Sequence, residues 1–239
     1  LCEKDAELGG QIHAACVPIG KQDLTKVVQF MSHRIEDVDV RLNRTVTKEM
    51  IETEFKDYEI IASVGAKPNT IPAFHSFKQT LTADDILLGK GFPGRKIVII
   101  GGGSVGCELA DYLAPLVNDR FIRNRDITIL EMAPEIMMSE TGPGRSILVL
   151  RMQDKGIHIE CGAKVTKVDA STITYEQKGE EYIIDDADTL VFANGYHVDP
   201  SFEEMLKETG NTYHLIGDGH KVGNIRDAIS EAWLITKEI

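Results

Sequence analysis

"KIVIIGGGSVGCE", Lys96 to Glu108, is the stretch on which the reading of the chain turns. Its first five residues are dominated by β-branched apolar side chains, the pattern of a strand buried on both faces. Gly101, Gly103 and Gly106 follow with the spacing G-x-G-x-x-G, and a helix is expected to start at Ser104. Each glycine has a physical task. The first makes a tight turn, the second lets backbone approach a pyrophosphate, and the third lets the helix pack close to the strand. Free amides and the positive end of the helix dipole would then hold phosphates without a cationic side chain. The motif alone is a weak signal, and the strand and helix on its two sides give it weight.

The same fingerprint asks for an acid closing the next strand, about 20 residues on, to bind a ribose 2′-hydroxyl. "ITILEM", Ile127 to Met132, supplies Glu131, 25 residues after Gly106. The surplus falls in "LVNDRFIRNRD", Leu116 to Asp126, read as an elongated helix end or a loop. "MAPE" after Glu131 holds no arginine, so a 2′-phosphate would meet repulsion and NADH is expected over NADPH. Arg120, Arg123 and Arg125 precede the strand and read as solvated surface.

A second motif overlaps the first. Gly102 to Gly106 also satisfies G-x-S-x-G, the turn that exposes the nucleophile of serine hydrolases between a strand and a helix. His197, His214 and His220 lie downstream and could supply a base. That turn requires neither a glycine at 101 nor an acid ending the next strand. A hydrolase using Ser104 is therefore kept as the alternative, and Ser104 is otherwise a first-turn residue offering its N–H.

With 239 residues, 42% hydrophobic and 27% charged, the chain has the composition of a globular protein able to bury a core. A net charge of −12 argues against nucleic acid or an anionic membrane as partner. No stretch approaches the roughly 20 apolar residues of a membrane span. Cys2, Cys16, Cys107 and Cys161 form no C-x-x-C pair, so reduced structural thiols of a cytoplasmic protein are expected, not a metal or dithiol centre. The seven histidines show no H-x-x-x-H spacing, and Asp185, Asp186 and Asp188 read as a solvated turn. Met132, Met137 and Met138 are expected to fill gaps in core or loops. Because the first residue is Leu1, a processed or cut piece is expected.

Upstream of the glycine loop, apolar positions Leu24, Val27, Val28, Met31 and Ile35 predict a helix over 21–36. Residues 39–47 alternate like a strand, 48–55 read as a short helix, and "YEIIASVGAKP" as a buried strand entering a Gly/Pro loop. "KPNTIPAFHSF" has two prolines and no periodicity, and reads as a linker. Thr82 is the expected cap of a short helix. Beyond Glu131 come a loop, a helix from about Ser146, short strands with a turn at Lys178-Gly179, and the buried strand "DTLVFANG". A strand at Tyr213 to Gly219 and a helix from Ile225 close the chain.

The plan strand, glycine loop, helix, strand, acid occurs once in full. "LCEK", Leu1 to Lys4, looks like the last two terms of a second copy, with Glu3 as its acid. The ordered set "EKDAELGGQI", "SVGAKP", "TADDILLGK", "IGGGSVGCE", "GPGR" and "LIGDGHKVGNIRDAI" covers nearly the whole chain. It resembles the C-terminal region of the NADH:flavin oxidoreductases of the 2,4-dienoyl-CoA reductase and trimethylamine dehydrogenase type.

The resemblance implies an α/β protein with two Rossmann-like, doubly wound nucleotide-binding domains, one inserted in the other. An FAD-type domain would occupy 1–81 and 196–239, with an NAD(H)-binding domain at 82–195. By position, Glu3 would bind the FAD adenosine ribose, and Gly10 and Gln11 would lie along the dinucleotide. Val46 would meet the adenine, Val64 and Gly65 the diphosphate, and Asp218 the ribityl chain. For NADH the matching positions are Gly103, Ser104, Val105, Gly106 and Glu131, with Gly195 on the nicotinamide side. Val64, Asn194 and Gly219 depart from the family's usual Thr, Leu or Thr, and Cys.

The resemblance further implies that an FAD phosphate loop, and a barrel with FMN and a 4Fe-4S cluster, lie outside these residues. The expected activity is hydride transfer from NADH to FAD with onward electron transfer, using no protein acid or base. The alternative is a nucleotide-binding module without turnover.

Overall fold

The computed structural model describes residues 1–114 and 125–237, which form two compact units. One comprises Ala14–Asp23 and Pro68–Gly195; the other comprises Leu1–His13, Leu24–Lys67 and Tyr196–Ile239.

The first unit contains β1 (Thr80–Thr82), α1 (Ala83–Leu87), β2 (Lys96–Ile100), α2 (Ser104–Leu113) and β3 (Asp126–Glu131). It continues with α3 (Pro143–Asp154), β4 (His158–Cys161), β5 (Lys164–Val168), β6 (Ile173–Gln177), β7 (Glu180–Ile184) and β8 (Thr189–Phe192). Five strands form a parallel sheet in the order β1-β8-β2-β3-β4, with Ile97 beside Ile127 and Val98 beside Leu190. Alternation along β2 sorts its side chains. Ile97 and Ile99 pack with Leu109, Ala110 and Met152 of the helices. Val98 packs on the other face with Leu190, Phe192, Ile173 and Tyr175. That second face is covered by the antiparallel meander β5-β6-β7. Its turn at Lys178 and Gly179 has φ of +54° and +82°, the left-handed pair a two-residue hairpin requires. The parallel α/β architecture expected from the sequence is the one observed.

Several local expectations change. Residues 68–77 are no linker: Pro72–Phe74 form a 3₁₀ turn, and Phe74 and Phe77 are buried beneath the sheet. Since β1 also pairs with β8, this unit begins well before residue 82. Residues 14–23 join it too, through buried Ala14 and a Lys21–Glu108 ion pair at 2.6 Å. α3 starts at Pro143, three residues early, because Gly142 caps it and proline suits the first helical position. Arg125 is not merely solvated: it is half-buried and donates to the Leu113 carbonyl at 3.1 Å. Arg120, Arg123 and most of the expected helix extension lie outside the described residues. Of the three methionines only Met137 is buried, while Met132 and Met138 are exposed.

In the second unit, Ile60–Ala62 pairs in parallel with Tyr213–Leu215. A small core of Ile51, Ala62 and Leu206 forms beneath, with Val46, Ile60, Phe202 and Leu215 against it. The strand expected at 39–47 shrinks to one parallel bridge, Cys2 with Arg41, since Asn43 at φ +52° turns the chain away. The helices Thr25–Arg34 and Ile225–Ile235 form as expected but bury none of their side chains.

Candidate dinucleotide-binding site

The chain leaves β2 toward β3 on one side, and β8 later returns on the other. The carboxyl end of β2 is therefore a topological switch point, where open α/β sheets take their ligands. Gly101 sits there at φ +106°, and a Cβ on it would lie 2.5 Å from the Ala193 carbonyl oxygen. A Cβ on Gly106 would lie 2.0 Å from the Gly101 carbonyl oxygen. Both contacts are with backbone, so neither neighbour can swing away. Gly103 differs: its φ is −69°, it caps α2 without a side-chain hydrogen bond, and a Cβ there would meet open space. Ser104, Val105 and Gly106 form the first turn of α2, with Val105 packed partly into the core.

Glu131 ends β3 facing this loop. One carboxylate oxygen accepts from the Gly102 amide at 2.5 Å and the other from the Ala133 amide at 2.7 Å. A carboxylate offers about four acceptor positions, so two remain for ribose hydroxyls. The other side of Gly102 is also held, because its carbonyl accepts from the Met137 amide at 2.8 Å. Cys107 donates its thiol to the same carbonyl at 3.3 Å. Burial, reinforced by the negative charge of Glu131, pushes that thiol up to about 12, so it stays protonated. Gly195, at φ +91°, follows β8, and its carbonyl accepts from the Asn69 amide at 2.8 Å. Gly101, Gly103, Ser104, Val105, Gly106 and Glu131 thus converge at the carboxyl ends of β2 and β3.

The positions assigned to a flavin nucleotide all lie in the second unit. Glu3 exchanges backbone hydrogen bonds with Arg41 and Arg44, and its carboxylate accepts from the Asp5 amide at 2.9 Å. Val46 packs against the small core. Val64 and Gly65 lie beside Gly219, whose Cβ would come within 3.0 Å of the Val64 side chain. Asp218 accepts from the Gly223 amide at 3.0 Å. Gln11 reaches the Ala66 carbonyl at 3.5 Å, and the adjoining Gly10 has φ +49°.

The pattern of the pyridine nucleotide-disulphide oxidoreductases matches residues 6–219. The chain belongs to this family. Among its relatives, the cinnamate reductase of Clostridium sporogenes is 31% identical over the whole chain, which spans 35% of that protein. The bilirubin reductase of Mediterraneibacter gnavus is 29% identical over 98% of the chain and 36% of its own length. A solved 2-naphthoyl-CoA reductase superposes over the whole chain and 36% of its own, with a TM-score of 0.88 and 20% identity, a likeness of fold. These matches bear out the resemblance to the NADH:flavin oxidoreductases, and the chain spans about a third of the relatives' length.

Membership of this oxidoreductase family leaves the hydrolase alternative unsupported, and so does geometry. Ser104 donates its hydroxyl to Glu140 at 2.8 Å, while His214 and His220 pair with Glu59 and Glu231. Among the described residues no helix is long and apolar enough to cross a membrane.

Four contributors were not visible in the sequence. Glu140 and Met137 reach the loop from the connection after β3. Arg145 folds back from α3 to donate to Glu135 at 2.8 Å and to the Ile136 carbonyl at 3.0 Å. An arginine therefore does approach the segment after Glu131, although none stands in "MAPE". Lys21 reaches Glu108 on α2. Only the "GPGR" motif offered a signal for any of them.

Proposed function

We propose that residues 68–195 bind NADH. The pyrophosphate rests on the free amides of Gly103, Ser104, Val105 and Gly106, the adenosine ribose on Glu131, and Gly195 closes the nicotinamide side. The grip of Glu131 on Gly102 carries this reading. It aligns the loop beside an acceptor with two sites to spare, while Gly101 and Gly106 exclude side chains. Glu131 and the pairing of Arg145 with Glu135 support NADH over NADPH.

The residues of the second unit suit a flavin nucleotide in part. Glu3 and Asp218 each offer carboxylate oxygen, and Gly10 and Gly65 hold left-handed turns, but Val64 brings no hydroxyl. In the longer protein Glu3, Gly10, Gln11, Val46, Val64, Gly65 and Asp218 would hold FAD. That group, when bound, accepts a hydride from NADH and passes electrons onward. The protein's share is to bind, orient and exclude water, so no side chain is assigned as acid or base. FMN, a 4Fe-4S cluster and the choice of organic substrate belong to further parts of such a protein.

A second reading, nucleotide binding without turnover by these residues alone, draws on the small core of the second unit. Fluorescence titration with NADH tests the first proposal, and absence of binding by the folded chain overturns it. Visible flavin absorbance with NADH-driven dye reduction separates the two readings; a colourless, inactive sample that binds NADH supports the second.

A further inference from the structure

We infer that Glu140 is a built-in competing anion that sets how tightly a dinucleotide is held at the start of α2. The inference rests on the NADH reading above. It concerns regulation of that site by the chain's own carboxylate.

Gly103 provides no side-chain cap, so the first amides of α2 have no partner from their own cap residue. Besides Glu131 on the Gly102 amide, the carboxylate of Glu140 reaches this helix end, accepting from the Ser104 hydroxyl at 2.8 Å. Several fixings hold the connection that places it. The Ala133 amide is tied to Glu131, and the Met137 amide donates to Gly102. The Glu140 amide donates to Met137 at 3.0 Å, closing a turn in which Met137 is buried and left-handed at φ +51°. A non-glycine residue keeps that conformation only where its surroundings enforce it. Arg145 secures the far side through Glu135 and Ile136. The Arg145 charge is thereby engaged by Glu135 at 2.8 Å, leaving Glu140 uncompensated by it.

A carboxylate beside a helix N-terminus is favourable while the site is empty. A pyrophosphate diester brings two negative charges to the same place, and the two anions repel. Binding must then displace Glu140 from Ser104 or tolerate its charge. Glu131 and Glu140 therefore act in opposite senses, one recruiting the ribose and the other opposing the phosphates.

The test is NADH titration of the 239-residue chain, of E140Q and of E140A. Glutamine keeps an acceptor for Ser104, so the turn survives while the charge goes. About two- to tenfold tighter binding is expected for both variants, shrinking at high salt because the effect is through-space charge. In an S104A background, where nothing anchors the carboxylate, the gain from E140Q should be smaller. Unchanged or weaker binding by E140Q and E140A, with wild-type binding intact, overturns the role of Glu140 and leaves the NADH site standing. If no variant binds NADH, the site assignment fails and this inference falls with it.

Discussion

At the scale of single residues, Glu131 clamps the loop and, in the proposed reading, also binds the ribose, and substitutions can part the two. Glu131→Gln keeps a neutral acceptor and the shape of the loop, whereas Glu131→Arg brings a cation to the ribose. A hydrogen bond to a charged group contributes about 1.5–3 kcal/mol, so E131R should weaken NADH roughly tenfold or more while relatively favouring NADPH. Titration with both coenzymes checks this, and an unchanged preference would count against the ribose contact. The glycines make a sharper pair. A methyl at Gly106 would sit 2.0 Å from a backbone oxygen, so Gly106→Ala should cost about 2 kcal/mol or more and lower the melting temperature. A methyl at Gly103 meets nothing, so Gly103→Ala should cost no more than the roughly 1 kcal/mol of a poorer helix cap yet bind NADH poorly, because in the proposed reading it fills the approach of the pyrophosphate. Calorimetric melting and titration of both variants separate folding from binding. The placement of these positions was legible because it depends on spacing along one strand and one helix. Lys21, Glu140 and Arg145 were not, because each reaches the site from a different segment.

At the scale of elements, what could be read depended on whether a local rule set the outcome. Thr82 and Asp85 form a reciprocal capping box at α1, with the Thr82 hydroxyl accepting from the Asp85 amide at 3.1 Å. Thr82→Ala should cost about 1 kcal/mol, seen as a modest drop in melting temperature. Residues 68–77 obeyed no period because Phe74 and Phe77 are placed by the sheet they cover and not by a repeat of their own. Residues 39–47 had the right alternation but found one bridge, since strands form only against partners. The contact between α2 and α3 was equally hidden. Asp111 is fully buried between Arg151, at 2.7 Å, and Lys155, at 2.9 Å, whose own side chain is only 4% exposed. Removing one partner of a buried pair strands the other, so Asp111→Ala should destabilise by about 3–5 kcal/mol. Urea unfolding followed by circular dichroism measures it, and a change below about 1 kcal/mol would show the cluster to be dispensable.

At the scale of the molecule, the expectation of one domain inserted in another came from the ordered motifs of the resemblance, and the chain does divide into two discontinuous units. The assignment of 14–23 to the inserted unit was not readable, since it depends on a buried alanine and one ion pair. The two units also differ in how much they bury. In the inserted unit β2, β3 and β8 are lined with Ile97, Ile99, Ile127, Ile129, Leu190 and Val191, none above 1% exposed. In the other, Ile51, Ala62 and Leu206 form the buried core among the described residues, and Phe30 and Trp233 stand 60% and 58% exposed on helices with no buried residue. Amides open at a free energy set by the packing that their opening disrupts. Hydrogen exchange followed by mass spectrometry should therefore find slowest exchange in 97–100, 127–130 and 190–192, and rapid exchange in 25–34 and 225–235. A ligand that binds only the native unit stabilises it by RT ln(1 + L/Kd) at free concentration L, so protection grows with ligand concentration. Saturating NADH should thus slow exchange at 101–108 and at 131–133, where the loop and its clamp meet, and leave 25–34 unchanged. Protection gained first in 25–34 would place the dinucleotide on the wrong unit.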